Sequence, residues 1–349
     1  MKLAPLFNCM GQNPAFLPLL VHTGQHYDDN MSGSFLRDLR LPTPHYFLNV
    51  GSGSHAQQTA EIMKRFEPIL LERKPDGVIV AGDVNSTVAC ALVAAKLRTP
   101  VIHIESGLRS FDRSMPEEIN RILTDAISDL LLVTEESGVR NLRAEGVSPE
   151  RIHLVGNMMI DSLRANLEAA RGLNVPTRFG LRNGSYGVVT LHRPANVDER
   201  GALQEILDAL NQIAQQMPLL FPVHPRTLGR LHTAVLHPNI RAIEPLGYLE
   251  FLGLTSACAV VLTDSGGLQE ETTALGVPCL TLRNNTERPA TIDQGTNRLA
   301  GTTRQSILAA WEQFRQNPPL SRIPPLWDGL AAVRAMDAVS RYYQAEGRV

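Results

Sequence analysis

Short apolar runs alternate with longer helical stretches from residue 16 to residue 282, and that alternation leaves few folds open. Strands separated by helices are joined through crossovers, which makes their sheet parallel and covers both of its faces. Strands buried on both faces read as continuous apolar runs. Residues 16–21, 77–81, 101–105, 130–134 and 152–155 form a first series of such runs. Residues 187–191, 219–223, 240–243, 259–263 and 278–282 form a second. Helical patterns lie between them, as at 56–73 and 201–216.

The two series are separated by a helical pattern at 161–171 and a loop at 172–183. The expected fold is therefore α/β, with two Rossmann-like, doubly wound parallel-sheet domains over residues 1–156 and 157–326. Residues 327–349 carry a last helix, whose attachment the pattern leaves open. A length of 349 residues suits two domains. The chain opens in a helical pattern at 2–10, where a doubly wound domain ordinarily opens with a strand. Lack of that strand would leave its two neighbours unpaired along facing edges. Either the natural start lies upstream or the domain is unusual.

Composition narrows the partners. The formal net charge of −2 gives no general attraction to nucleic acid or to an anionic membrane. No apolar run reaches the roughly 20 residues of a membrane span, and the opening MKLAPLFNCMGQN lacks a signal-peptide pattern. Cys9, Cys90, Cys258 and Cys279 have no metal-like spacing, and at least three fall in apolar elements as reduced thiols. A cytoplasmic protein without a metal site is expected.

The residues able to do chemistry gather at strand ends, where open α/β sheets bind ligands. Thr263-Asp264-Ser265-Gly266-Gly267 leaves a strand and opens a helix. The glycines let backbone N–H groups approach an anion, and Ser265 adds a hydroxyl; a plain capped turn accounts for the same residues. His192 and Arg193 leave the strand at 187–191, and both can serve a diphosphate. His224 holds the corresponding place on the next strand, where a bond to a backbone carbonyl is the plainer alternative. In the first domain Asp83 follows one strand and Glu105 ends the next, with Glu117 and Glu118 opening a helix behind Pro116. Asp83 can be a helix cap and Glu117 a partner of the helix dipole. Glu105 is harder to explain away, because an unpaired charge buried at a strand end is costly. Several acids near basic residues suit acid–base work on an anionic substrate.

Together these segments resemble the non-hydrolysing UDP-N-acetylglucosamine 2-epimerases, whose fold is of the GT-B type. The resemblance runs through KLAPL at 2–6, TGQH at 23–26, GSGSHAQQT at 51–59 and GDVNST at 82–87. It continues through HIESGLRS at 103–110, PEEINR at 116–121, GNMMID at 156–161 and TLHRPANVD at 190–198. PVHPR, EPLGYLEFL, LTDSGGLQEE and RNNTERPATIDQGTNRLAG follow in the family's order.

The resemblance implies a UDP-sugar bound in a cleft between the two domains. Asp83, Glu105 and Glu118 would act around C2 and C3 of the sugar, and His192 near the departing UDP. Ser265, Gly266, Gly267 and Glu271 would contact diphosphate and ribose. Lys2, Arg109, Arg121 and Arg288 would be basic contacts, and the backbone at Leu246 and Tyr248 would hold uracil. Gln25, His26, Arg193 and His224 would fall in a site for a second, activating UDP-GlcNAc. The implied reaction eliminates UDP across C1–C2 to give 2-acetamidoglucal, then re-adds it with a proton on the other face of C2. It needs no cofactor, and a homodimer is the family's expected state.

Two departures stand out. The family's Gly-Thr-Arg-Pro-Glu segment, with the strand before it, is missing ahead of KLAPL, and RPA at 288–290 replaces the usual RPE. An upstream natural start is therefore expected. Competing readings are a GT-B glycosyltransferase, a hydrolysing 2-epimerase, and a catalytically silent UDP-sugar sensor.

Overall fold

The computed structural model describes residues 1–24, 36–231, 234–319, 322–345 and 347. The chain divides into two compact units, Met1–Ser162 with Pro325–Val349, and Leu163–Pro324. Both are α/β units built on parallel sheets.

The first unit carries β3 (Val78–Ala81), β4 (Val101–Ser106), β5 (Leu130–Val133) and β6 (Ile152–Leu154), ordered β3-β4-β5-β6 and parallel throughout. Every residue of β4 and β5 is buried, as expected of strands covered on both faces; β5 is apolar throughout, whereas β4 buries His103, Glu105 and Ser106 as well. A separate parallel pair joins β1 (Val21–His22) to β2 (Tyr46–Phe47). The strand expected at 16–21 is thus reduced to its last residue and one more. Residues 16–20 make no regular pairing, although Phe16 packs on the core beside Leu6 and Tyr343. The helix His55–Arg73 lays Ile62, Phe66 and Leu70 over Val78 and Val80 of β3, with Leu48, Val21 and Val50 at the same core. It starts in a capping box, Ser54 and Gln57 each satisfying the other's backbone N–H.

The last helix, Ala331–Ala345, belongs to the first unit. Its small face (Ala331, Ala335, Ala338, Val339) packs with Leu6 and Met10 of the opening helix Ala4–Gly11 and with Ile102, Ile104, Leu130 and Leu132 of the sheet. Asp161 accepts the N–H groups of Ala331 and Ala332 at 3.1 and 2.7 Å, a carboxylate set at the positive end of the helix. The units divide after Ser162, the fifth residue of the helix Met158–Gly172, where the sequence pattern suggests a boundary after residue 156.

The second unit contains β7 (Gly187–Thr190), β8 (Leu219–Pro222), β9 (Ile240–Ile243), β10 (Val260–Thr263), β11 (Cys279–Thr281) and β12 (Asn297–Leu299). Their order is β12-β11-β10-β7-β8-β9, all parallel. From β7 the chain moves outward through β8 and β9, then returns to place β10 on the other flank of β7. That reversal between β7 and β10 is the switch point at which Rossmann sheets bind ligands. No described helix is long and apolar enough to cross a membrane, and all four cysteines are free thiols.

Candidate functional site

In the first unit Asp83 and Glu105 meet on one guanidinium, that of Arg121. Asp83 follows β3 after Gly82, whose φ of +72° turns the chain at the strand end. The N-cap residue of the next helix is Val84, so Asp83 is not the cap that the sequence also allows. Its carboxylate lies 2.5 Å from Nη2 of Arg121, and the same Nη2 reaches Oε1 of Glu105 at 3.0 Å. Lys2 Nζ approaches both Glu105 oxygens at 2.8 Å. Arg121 and Glu105 are almost wholly buried, while 18% of the Asp83 side chain is exposed. Two carboxylates so close would repel as anions; the shared guanidinium and the ammonium compensate both.

Glu105 itself sits at φ +66°, in the left-handed region, within a bulge of β4 between Ile104 and Ser106. Glu118 comes from the helix Pro116–Ile127 and accepts the Ser110 N–H (2.8 Å), the Ser110 hydroxyl (2.9 Å) and the Phe111 N–H (3.1 Å). It fixes the loop that follows β4. Glu117, its neighbour, is exposed. Asn120 donates to the Asp83 carbonyl at 2.9 Å. Arg109 is buried and committed elsewhere, with Asp125 at 2.7 Å and two 2.7 Å bonds to Glu145.

In the second unit the strand ends at the switch point carry His192 and Asp264. Nδ1 of His192 lies 2.8 Å from Asp264 Oδ1, and Asp264 also accepts the N–H groups of His192 (3.0 Å) and Arg193 (2.9 Å) and the Asn196 amide (3.2 Å). Burial alone would raise the Asp264 pKa; the His192 bond and charge and the backbone donors outweigh it and hold the group ionised below its ordinary value. His224, after β8, sets its ring 5.8 Å from that of His192 and accepts the Arg226 N–H through Nδ1 at 3.1 Å.

Ser265 caps the helix Gly266–Leu275, its hydroxyl accepting the Leu268 N–H. A side chain at Gly266 would meet Glu287, whose Oε1 would stand 2.6 Å from the added carbon. Glu287 is buried among Arg193, Arg283 and Arg288; burial opposes its ionisation, but the three cations hold it well below the usual carboxylate range. Arg288 Nε is 3.3 Å from Glu270. Glu271, on the buried side of the same helix, is pushed up to about 7 by burial. Leu246 is half-buried against the core that holds Tyr186 and Leu254, and Tyr248 is buried at the start of the helix Tyr248–Thr255.

The expected residues thus fall into two groups: Lys2, Asp83, Glu105, Glu118 and Arg121 in one unit, and His192, Arg193, His224, Ser265, Gly266, Gly267, Glu271 and Arg288 in the other. Gln25 and His26 lie outside the described residues. Sequence reasoning gave no role to Asp264, Asp125, His103 or Glu287. Asp264 stood inside a motif already singled out, and its place directly after the apolar run 259–263 was the available signal. Among the described residues no cluster of three His, Cys, Asp or Glu side chains could hold a metal ion.

The UDP-N-acetylglucosamine 2-epimerase family model matches residues 9–340. A UDP-N-acetylglucosamine 2-epimerase of Methanococcus maripaludis is 43% identical over 324 residues, 90% of this chain and 88% of that protein. A UDP-2,3-diacetamido-2,3-dideoxy-D-glucuronate 2-epimerase of Pseudomonas aeruginosa is 42% identical over 293 residues, covering 83% and 82%. Among solved structures, the Methanocaldococcus jannaschii UDP-GlcNAc 2-epimerase in complex with UDP-GlcNAc and UDP superposes with a TM-score of 0.91 at 41% identity, covering 97% of this chain and 96% of that one. The ordered motifs, the two parallel-sheet units and these likenesses agree, and the chain belongs to the UDP-N-acetylglucosamine 2-epimerase family.

Proposed function

We propose that the chain interconverts UDP-N-acetylglucosamine and UDP-N-acetylmannosamine without net hydrolysis. The observation that carries this reading is the pair of carboxylates, Asp83 and Glu105, at adjacent strand ends on the one guanidinium of Arg121. The C2–H of the sugar is not next to a ketone, so direct deprotonation is very difficult. Elimination solves this: a carboxylate takes the C2 proton while the C1–O bond breaks, and its electron pair leaves with UDP. C2 of the resulting 2-acetamidoglucal is planar. A proton delivered to its other face, with return of the UDP oxygen to C1, gives the epimer. Removal and delivery on opposite faces call for two differently placed acids, which Asp83, Glu105 and Glu118 supply.

The second unit would hold the nucleotide. His192, oriented by Asp264, stabilises or protonates the departing phosphate oxygen, and the Ser265 hydroxyl and the N–H groups of Gly266 and Gly267 bind the diphosphate with Arg288. Glu271, able to carry a proton near neutral pH, suits a ribose hydroxyl, and the backbone at Leu246 and Tyr248 suits uracil. Arg193 and His224 would belong to a site for a second, activating UDP-GlcNAc, and the working form would be a homodimer.

The test is a product analysis by chromatography. UDP-GlcNAc should yield UDP-ManNAc with no accumulation of free UDP. Free ManNAc with stoichiometric UDP would replace this reading with hydrolysis. Because the Pseudomonas relative has a different sugar in its name at 42% identity, UDP-2,3-diacetamido-2,3-dideoxy-D-glucuronate should be offered in competition. Faster turnover of that sugar would keep the chemistry and change the substrate. Turnover of neither would leave a UDP-sugar sensor.

A further inference from the structure

The first unit contains a buried polar cluster that the chemistry above does not use. His103 lies in the middle of β4 with no exposed surface. Its Nδ1 is 2.7 Å from Oδ1 of Asp125, and its Nε2 is 2.8 Å from the carbonyl oxygen of Gly82. The other Asp125 oxygen accepts the Gly107 N–H at 3.0 Å and pairs with Arg109 at 2.7 Å. A carbonyl oxygen can only accept, so Nε2 carries a hydrogen. Burial by itself would raise the Asp125 pKa, but its contacts with His103 and Arg109 outweigh burial and hold it below the ordinary value.

The cluster's bonds reach backbone beside both acids, the Gly107 N–H after Glu105 and the Gly82 carbonyl before Asp83. One Asp125 oxygen holds His103, two residues before Glu105, and the other holds Gly107, two residues after it. Between them Glu105 takes its left-handed conformation in the bulge of β4, which a residue with a side chain keeps only when its surroundings over-determine it. The same imidazole fixes the carbonyl of Gly82, the residue before Asp83.

We propose that His103 and Asp125 form the positioning device for the two carboxylates, locking the Glu105 bulge and the Gly82–Asp83 turn in one register. The inference rests on the reading of Asp83 and Glu105 as the proton-transfer groups. Neither His103 nor Asp125 needs to touch the sugar. Their effect passes through backbone, and a displacement of about 1 Å at a reacting group can cost about 100-fold in rate.

Two substitutions separate the bonds. In His103→Asn the amide reaches the Nδ1 position and can still meet Asp125, but nothing reaches Gly82. In His103→Gln the longer side chain reaches the Nε2 position and can still donate to Gly82. The Asn variant should lose about 10- to 100-fold in kcat for proton exchange at C2, with KM within about twofold of the original. The Gln variant should recover part of that loss at the same Tm. In 15N-labelled protein, the Asn variant should shift the amide resonances of Asp83 and Glu105 and leave those of Ser265 and Gly266 in place. Unchanged kcat in both variants would overturn the proposal. So would equal losses in both that merely follow Tm, or still amide resonances at the two acids. If the unsubstituted protein exchanges no C2 proton, the functional reading falls, and the amide shifts alone then decide whether the clamp exists.

Discussion

Nδ1 of His192 lies 2.8 Å from Oδ1 of Asp264, across the junction between β7 and β10. The contact exists because the sheet order places these two strands side by side, although 72 residues separate the partners in sequence. An ionised Asp264 that also accepts two backbone N–H groups fixes the ring's orientation and its Nδ1–H tautomer.

Asp264→Asn should therefore lower the rate of C2 proton exchange by about 100-fold or more, because an amide N–H facing Nδ1 favours the opposite tautomer. Steady-state kinetics checks this, with UDP binding measured beside it. A variant with the original kcat would show that the tautomer does not matter.

Arg121→Met should destabilise the first unit by about 3 kcal/mol or more, since it leaves buried Glu105 and part-buried Asp83 with less cationic compensation. Arg121→Lys should fall between, as a single ammonium cannot reproduce the planar fork. Urea denaturation followed by fluorescence gives the comparison, and equal midpoints for all three proteins would contradict it.

Glu271 carries a pH signature. Its folded pKa of about 7 lies above the ordinary 4.5, so the folded state keeps the proton to higher pH than the unfolded chain. The folded state is then the better proton binder, and stability falls as pH rises from about 4.5 to 7 before levelling off. The full contribution is about 3 kcal/mol at most by this reckoning. Subtracting the stability curve of Glu271→Gln from that of the original protein should leave this falling step. Parallel curves would remove the buried carboxyl from the account.

The sheets were legible because their central strands are buried on both faces: β5 and β8 read as unbroken apolar runs, β10 as one closed by Thr263, and β4 as one interrupted only by the polar residues at its site end and by His103. β2 and β12 were not, being two and three residues long, the first close behind Pro42 and Pro44 and the second carrying Arg298. The helix Pro116–Ile127 shows a deeper reason for what was missed. It buries Glu118, Arg121, Thr124 and Asp125 and leaves Leu123 half exposed, the reverse of what hydropathy suggests. A polar inward face makes sense only once His103, Arg109 and Glu105 are known to lie beneath it. The attachment of the last helix was likewise invisible, since its alanine face fits any close-packed surface and only Asp161 and the first helix select this one.

The central claim, that this chain exchanges the C2 proton of a UDP-sugar, is tested most directly by incubation with UDP-GlcNAc in D2O, followed by proton NMR. The C2 proton signal should disappear as deuterium enters, together with the growth of new resonances of UDP-ManNAc. Appearance of UDP-ManNAc with its C2 proton fully retained would contradict proton transfer with solvent-exchanging acids. A C2 signal that stays unchanged with no product, under conditions where UDP-GlcNAc binds, would contradict the epimerase reading itself.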